Sequence, residues 1–206
     1  MSAVEVSGLG VRLGGYPVFA DVNLTVAPGE IVAVLGGIGS GKTTLLRVLA
    51  GEVPPSAGRV QVLGTDPAAA RAGGDVVLVC GEPAWEPGAT VLQVLELARM
   101  AGEDVQDDTW PLPPRVMEAF ELDGRVDDQP HMLSQGLRQR LALAAAFCRP
   151  SQLLLIDDPE FGLDDRFRPM LADILRGYAD RGCTAVLGTH DLDLAVGARA
   201  RTFALD

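Results

Sequence analysis

"GGIGSGKTT", Gly36 to Thr44, stands between the apolar run "EIVAVL" (30–35) and the helix-like "KTTLLRVLAG" (42–51). Gly36, Gly41, Lys42 and Thr43 satisfy G-x-x-x-x-G-K-[ST], the spacing of a loop that wraps phosphate. Its glycines, Gly36, Gly37, Gly39 and Gly41, omit the Cβ atoms that would keep backbone N–H groups from converging on phosphate oxygens, and Ser40 and Thr44 complete the loop. Lys42 supplies a point charge for β- and γ-phosphates, and nothing else in the loop offers it a partner. The Thr43 hydroxyl suits Mg²⁺. The helix opening at Lys42 turns its positive end toward the same anion. Leu45, Leu46, Val48 and Leu49 fall at helical spacing and Gly51 is a natural stop, so strand, loop and helix follow in the order a nucleotide site needs.

Working outward, "VEVSGLGVRL" and "VFADVNLTVAPGE" alternate apolar with small or polar residues and read as two strands before the loop. "GRVQVLG", "DVVLVCG", "QLLLI" and "TAVLG" add four more, and the last two are each followed by a helical pattern. Strands alternating with helices, several of them continuous apolar runs, predict an α/β fold with a largely parallel sheet covered by helices on both faces. The segment "DPAAARAGGD" reads as an exposed loop. From Glu82 the chain turns rich in Pro and acidic residues, with helical patches at "VLQVLELARM" and "PPRVMEAFEL". This stretch, about 82–134, is too short and polar to hold a core alone, and reads as a helical insertion in a single domain spanning 1–206.

The chain has 206 residues, 48% hydrophobic, and a formal net charge of −11. Such an acidic chain is a poor partner for nucleic acid or anionic lipid, so any phosphate contact is local. Cys80, Cys148 and Cys183 are odd in number and lack paired spacing, which suits reduced thiols of a cytoplasmic protein serving as small apolar groups. No apolar run approaches the roughly 18 residues of a spanning helix, so work at a membrane would need a separate anchoring chain.

"LLLIDDPEFGLDD" places Asp157 at the tip of a buried strand, where open α/β sheets bind ligands. Asp157 is positioned to hold Mg²⁺ together with Thr43, and Asp158 is the carboxylate nearest an attacking water. "VLGTHD" puts His190 at another strand tip, suited to the γ-phosphate. His131 lies in a polar stretch and reads as solvated.

One further motif narrows the class. "MLSQGLRQRLALAAAF" sets Leu133, Ser134, Gln135 and Gly136 before an apolar-periodic helix that Pro150 stops. Together these stretches resemble the nucleotide-binding domain of ATP-binding cassette (ABC) proteins. "GGIGSGKTT" is similar to their Walker A loop, "LSQGL" to their signature, "LLLIDD" to Walker B, "GLDD" to the D-loop and "TH" to the switch histidine. The order matches over nearly the whole chain. The resemblance implies a P-loop NTPase fold with an N-terminal antiparallel β subdomain, a core of about 1–81 and 135–206, and ATP with Mg²⁺ as cofactors. It implies head-to-tail pairing with a second nucleotide-binding domain, as homodimer or heterodimer. Ser134 and Gly136 would then cap ATP held by the partner chain. A transmembrane permease subunit on a separate chain would place the domain at the inner face of the cell membrane.

Five positions depart from that pattern. Leu13 stands where the family has an adenine-stacking aromatic, and Tyr16, three residues on, is either its replacement in nucleotide binding or a plain turn residue. Gly81 stands for the glutamine of the Q-loop. Trp85 is either a contact for a membrane subunit's coupling helix or a local anchor. Asp158 stands for the catalytic Glu, and keeps its charge with one methylene fewer. The signature variant, Gln135 and Leu137, leans the reading toward an exporter. The leading expectation is the ATPase subunit of an ABC transporter. An ATP-gated regulatory half of a heterodimer, hydrolysing little, is the alternative. A DNA-repair type of cassette would need long heptad insertions, and a small P-loop kinase would not need the signature helix.

Overall fold

The computed structural model describes residues 2–102 and 110–205. Five parallel strands form the central sheet: β3 (Ile31–Leu35), β5 (Val76–Val79), β6 (Leu153–Asp157), β7 (Thr184–Thr189) and β8 (Arg201–Ala204), in the order β5-β6-β7-β3-β8. Nearly every residue of β3, β6 and β7 is buried, because helices or a second sheet cover both faces. A three-stranded antiparallel sheet, β2-β1-β4, is built from β1 (Val4–Leu13), β2 (Tyr16–Val26) and β4 (Ala57–Val62). Its β1–β2 turn is Gly14-Gly15, both at positive φ, as a tight two-residue hairpin requires.

The two-residue period of the strands divides the core. Val32, Val34, Leu153, Leu155 and Val186 face one way, onto Leu45, Leu46 and Leu49 of helix α1 (Lys42–Leu49) and the antiparallel sheet. Ile31, Leu154, Ile156, Ala185 and Leu187 face the other way, onto helices α5 (Gln135–Cys148) and α6 (Phe167–Ala179). Helix α1 ends where its apolar period does: Gly51 follows at φ 71°, its N–H bonded to the Val48 carbonyl.

The middle stretch holds α3 (Val91–Met100), opened by a capping box of Thr90 and Gln93, and α4 (Pro113–Ala119), opened by proline. Val91, Leu95, Phe120 and Leu122 of this stretch are buried in the same cluster as Leu141 and Phe147 of α5, and the Trp110 indole donates to the Phe147 carbonyl at 3.1 Å. Residues 103–109 of the insertion lie outside the described residues.

Two local readings are corrected. "DPAAARAGGD" is not simply a loop: Pro67–Ala72 form helix α2, with Asp66 as N-cap accepting from the Ala68 N–H and proline in the first turn. After α7 (Leu192–Gly197) the chain also adds β8 to the sheet, pairing beside β3.

Candidate nucleotide site

Sheet order brings the site together. Within the sheet β7 lies between β6 and β3, with Asp157 paired to Gly188 and Leu35 to Thr189. The phosphate loop after β3, Asp157 and Asp158 at β6, and His190 after β7 thus emerge at one edge, beyond the C-terminal ends of neighbouring strands. There the loop residues Gly36, Gly37, Gly39 and Gly41 with Lys42, Thr43 and Thr44 line a cleft of about 590 Å³, which Asp158 and His190 also border.

The loop's geometry shows why glycine is needed. Gly41 sits at φ 99° as the cap of α1, and a Cβ there would come within 2.7 Å of the Phe19 ring. Lys42 is not partnerless as the loop's composition suggests: its ammonium donates to the Gly36 carbonyl at 2.8 Å and to that of Gly37 at 3.1 Å. It bridges its own loop, where a phosphate would compete for the charge. The Thr43 hydroxyl donates to Asp157 Oδ2 at 2.7 Å, so the two residues read as a magnesium pair do meet. Asp157 Oδ1 and Ser40 Oγ are buried without a hydrogen-bond partner among the described residues. A buried group left this way costs about 1–3 kcal/mol until something answers it. A hydroxyl, a carboxylate and a free carboxylate oxygen fit a hard cation that takes oxygen ligands.

Asp158 has φ 44°, a left-handed conformation that Asp tolerates, and its side chain is half-exposed beside the cleft. His190 is exposed on the same rim, with Nδ1 at 3.7 Å from Asp158 Oδ1. Sequence reasoning passed over the third member, Glu160. Only 4% of its surface is exposed; its Oε1 accepts from the Thr189 hydroxyl at 2.7 Å and from the His190 N–H at 3.2 Å, and lies 3.0 Å from His190 Nδ1. Asp158, Glu160 and His190 form a group of potential metal ligands whose atoms gather within 4.8 Å. Nothing in the spacing "DDPEFG" says that this Glu turns inward; a charge in an otherwise apolar and turn-forming step is the one available signal.

Other sequence-read residues lie apart. Ser134 caps α5, accepting from the Leu137 N–H at 3.3 Å, and Gly136 packs so closely on the loop after β6 that a Cβ would meet the Gly162 carbonyl at 2.7 Å. Neither lines the cleft around Lys42. Tyr16 is 78% exposed on the β1–β2 hairpin, paired across it with Leu13, and Val18 rather than Tyr16 reaches the cleft. Gly81 has φ 71° and open space around it. Trp85 packs on the core and lines a separate groove of about 630 Å³ between β5, α3 and α5. Cys148 and Cys183 are buried, whereas half-buried Cys80 lies 3.6 Å from Asp157 Oδ2 and so borders the Thr43–Asp157 pair. His131 is exposed.

The family described as ABC transporter matches residues 19–160. The chain belongs to the ABC transporter family, as its nucleotide-binding domain. An ABC transporter nucleotide-binding domain is also what solved structures resemble. One described as the ATP-binding subunit of an ABC transporter superposes with a TM-score of 0.85 at 26% identity, over 99% of this chain and 86% of the other. The fold alone is shared with an ATP-binding cassette solved as a dimer bound to ADP and Pi, with a TM-score of 0.83 at 22% identity over 98% of this chain and 94% of that one. Among curated relatives, a Streptomyces coelicolor protein described provisionally as an ABC transporter ATP-binding protein is 40% identical over 94% of this chain. An aliphatic sulfonates import ATP-binding protein of Rhizobium johnstonii is 34% identical over all of this chain and 74% of that protein. The chain spans 34% of the Streptomyces coelicolor relative's length, about a third of it.

Proposed function

We propose that the chain binds and hydrolyses ATP as the motor subunit of an ABC transporter, pairing around ATP with a second nucleotide-binding domain and driving a transmembrane subunit on a separate chain. The observation that carries this is the Thr43–Asp157 pair, joined at 2.7 Å, with a buried and unanswered Asp157 oxygen beside a glycine cleft. Lys42, released from its two loop carbonyls, holds the phosphates; Thr43 and Asp157 hold Mg²⁺, which supplies charge neutralisation and orientation of the phosphates. Asp158 orients and polarises the attacking water from the rim, and His190 reaches the terminal phosphate. Ser134, with the start of α5, caps ATP on the partner. The apolar groove beside Trp85 and Gly81 receives the membrane subunit, which keeps the chain peripheral on the cytoplasmic face. No helix among the described residues is long and apolar enough to cross a membrane, in keeping with a separate spanning chain.

The variant signature favours export, whereas relatives aligned over 99–100% of the chain are named aliphatic sulfonates import ATP-binding proteins. We give the relatives more weight, because they match the entire chain and the signature is five residues. A second reading, an ATP-gated half of a heterodimer with little hydrolysis, is favoured by the short Asp158 and by Gly81 lacking any ligand.

The test is titration of Mg-ATP with phosphate release, on wild type and Lys42→Ala. The variant should lose ATP affinity by at least about 100-fold, roughly the loss of a charge-assisted pair, with an unchanged melting temperature. Unaltered affinity would exclude this loop as the site. Reconstitution with a membrane subunit into vesicles, followed by solute uptake or efflux, decides direction.

A further inference from the structure

We infer that Glu160 is the positioning residue of His190: it holds the imidazole as the Nδ1–H tautomer and sets the ring and its backbone at the cleft rim. This deepens the proposed ATPase reading and rests on it.

One oxygen of Glu160 accepts two hydrogen bonds from the end of β7 and faces a ring nitrogen beside them. The Thr189 hydroxyl donates at 2.7 Å, the His190 N–H at 3.2 Å, and His190 Nδ1 lies at 3.0 Å. A carboxylate has only acceptor oxygens, so a hydrogen bond across that 3.0 Å separation requires its proton on the ring. The same Thr189 hydroxyl accepts from the Asp191 N–H at 2.9 Å, fixing its own proton toward Glu160. Both the main chain and the side chain of His190 are therefore referenced to one buried carboxylate. Nε2 makes no hydrogen bond among the described residues, and the His190 ring borders the cleft that holds the phosphate loop. With Nδ1 turned to Glu160, Nε2 is the nitrogen left for a ligand in that cleft. This is the logic by which a buried carboxylate orients a histidine in hydrolytic triads.

Two observations separate Glu160 from a base. Asp158 borders the cleft with its side chain 48% exposed, whereas Glu160 is 4% exposed and does not line it. Oε1 already accepts two hydrogen bonds and faces Nδ1, which leaves it no room for water. Its second oxygen, Oε2, is buried with no partner among the described residues, a penalty that a neutral side chain at this place would avoid. Retaining a carboxylate there at that penalty points to a use for its charge, and the ring nitrogen beside it is the use the geometry offers.

The experiment is ¹⁵N NMR of the histidine rings in the whole chain at neutral pH. The chain has two histidines, so His131→Asn assigns the pair. In wild type the His190 resonances should show a protonated Nδ1 and a bare Nε2, and Glu160→Ala should revert the ring to the Nε2–H form favoured by free imidazole. A wild-type ring already in the Nε2–H form overturns the proposal without any variant having to fold. Phosphate release supplies the second arm. Glu160→Gln should lower kcat by at least about 10-fold and leave KM for ATP within about two-fold. In a His190→Ala background Glu160→Gln should change nothing further, because it acts through the ring. An additive loss in that background, or unchanged kcat in the single variant, overturns the proposal. Absence of hydrolysis by wild type would instead sink the ATPase reading and leave the NMR result standing for the tautomer.

Discussion

Asp158 combines a left-handed backbone, φ 44°, with a half-exposed carboxylate at the cleft rim, and these two facts set different expectations for its replacements. Asn tolerates left-handed backbone as Asp does, so Asp158→Asn should leave the melting temperature unchanged while nearly silencing phosphate release. Glu reaches one C–C bond further, about 1.5 Å. A misplacement of roughly 1 Å at a reacting centre costs on the order of 100-fold, so Asp158→Glu should hydrolyse faster than wild type at unchanged ATP affinity. Steady-state phosphate assays with thermal melts check both, and an Asp158→Glu variant no faster than wild type would shift the limit to Gly81. Asp158 and His190 are legible in the sequence because each follows an apolar strand directly, where a strand tip is the only place left for a polar side chain. Glu160 is not, because its burial arises from the turn after β6 folding back beneath His190, and no local period records that.

At the scale of an element, helix α5 begins outside the cleft around Lys42, with Ser134 as its exposed cap. In the proposed pairing that cap serves ATP held by the partner domain. Ser134→Arg should therefore abolish ATP-dependent dimers on size exclusion with a slowly hydrolysed analogue, while monomer affinity for ATP stays within about two-fold. Dimers that persist would remove α5 from the interface. Strands β3, β6 and β7 are readable in advance because a strand buried on both faces is a near-continuous apolar run, a pattern unlike any loop. Helix α2 escapes the same reading. Its six residues are Ala and Pro apart from Arg71, and mostly exposed, so they carry no apolar stripe, and only Asp66 with Pro67 marks its start. Strand β8 escapes because it is short and largely exposed, so no continuous apolar run announces it.

For the whole molecule, burial ties the thiols to global stability. Burial pushes the Cys148 thiol up to about 11, against a smaller opposing pull from the Arg99 charge, and burial likewise raises the Tyr178 hydroxyl and the Cys183 thiol. Each group keeps its proton longer in the folded chain than in the unfolded one. Their share of stability is therefore complete below the ordinary thiol value of 9.0, and the Cys148 share is lost as pH climbs through about 11. Urea midpoints should fall between pH 9 and 11, and Cys148→Ala should flatten that slope; an unchanged slope would put the alkaline sensitivity elsewhere. The strand order carries a consequence for how the chain is made. β3 ends at Leu35, but its neighbour β7 ends only at Thr189. At synthesis rates of about 5–20 residues per second, roughly 8 to 30 s separate the two as they leave the ribosome. Throughout that interval the finished phosphate loop hangs from a strand with no parallel neighbour, an aggregation-prone edge that is the natural target of a nascent-chain chaperone.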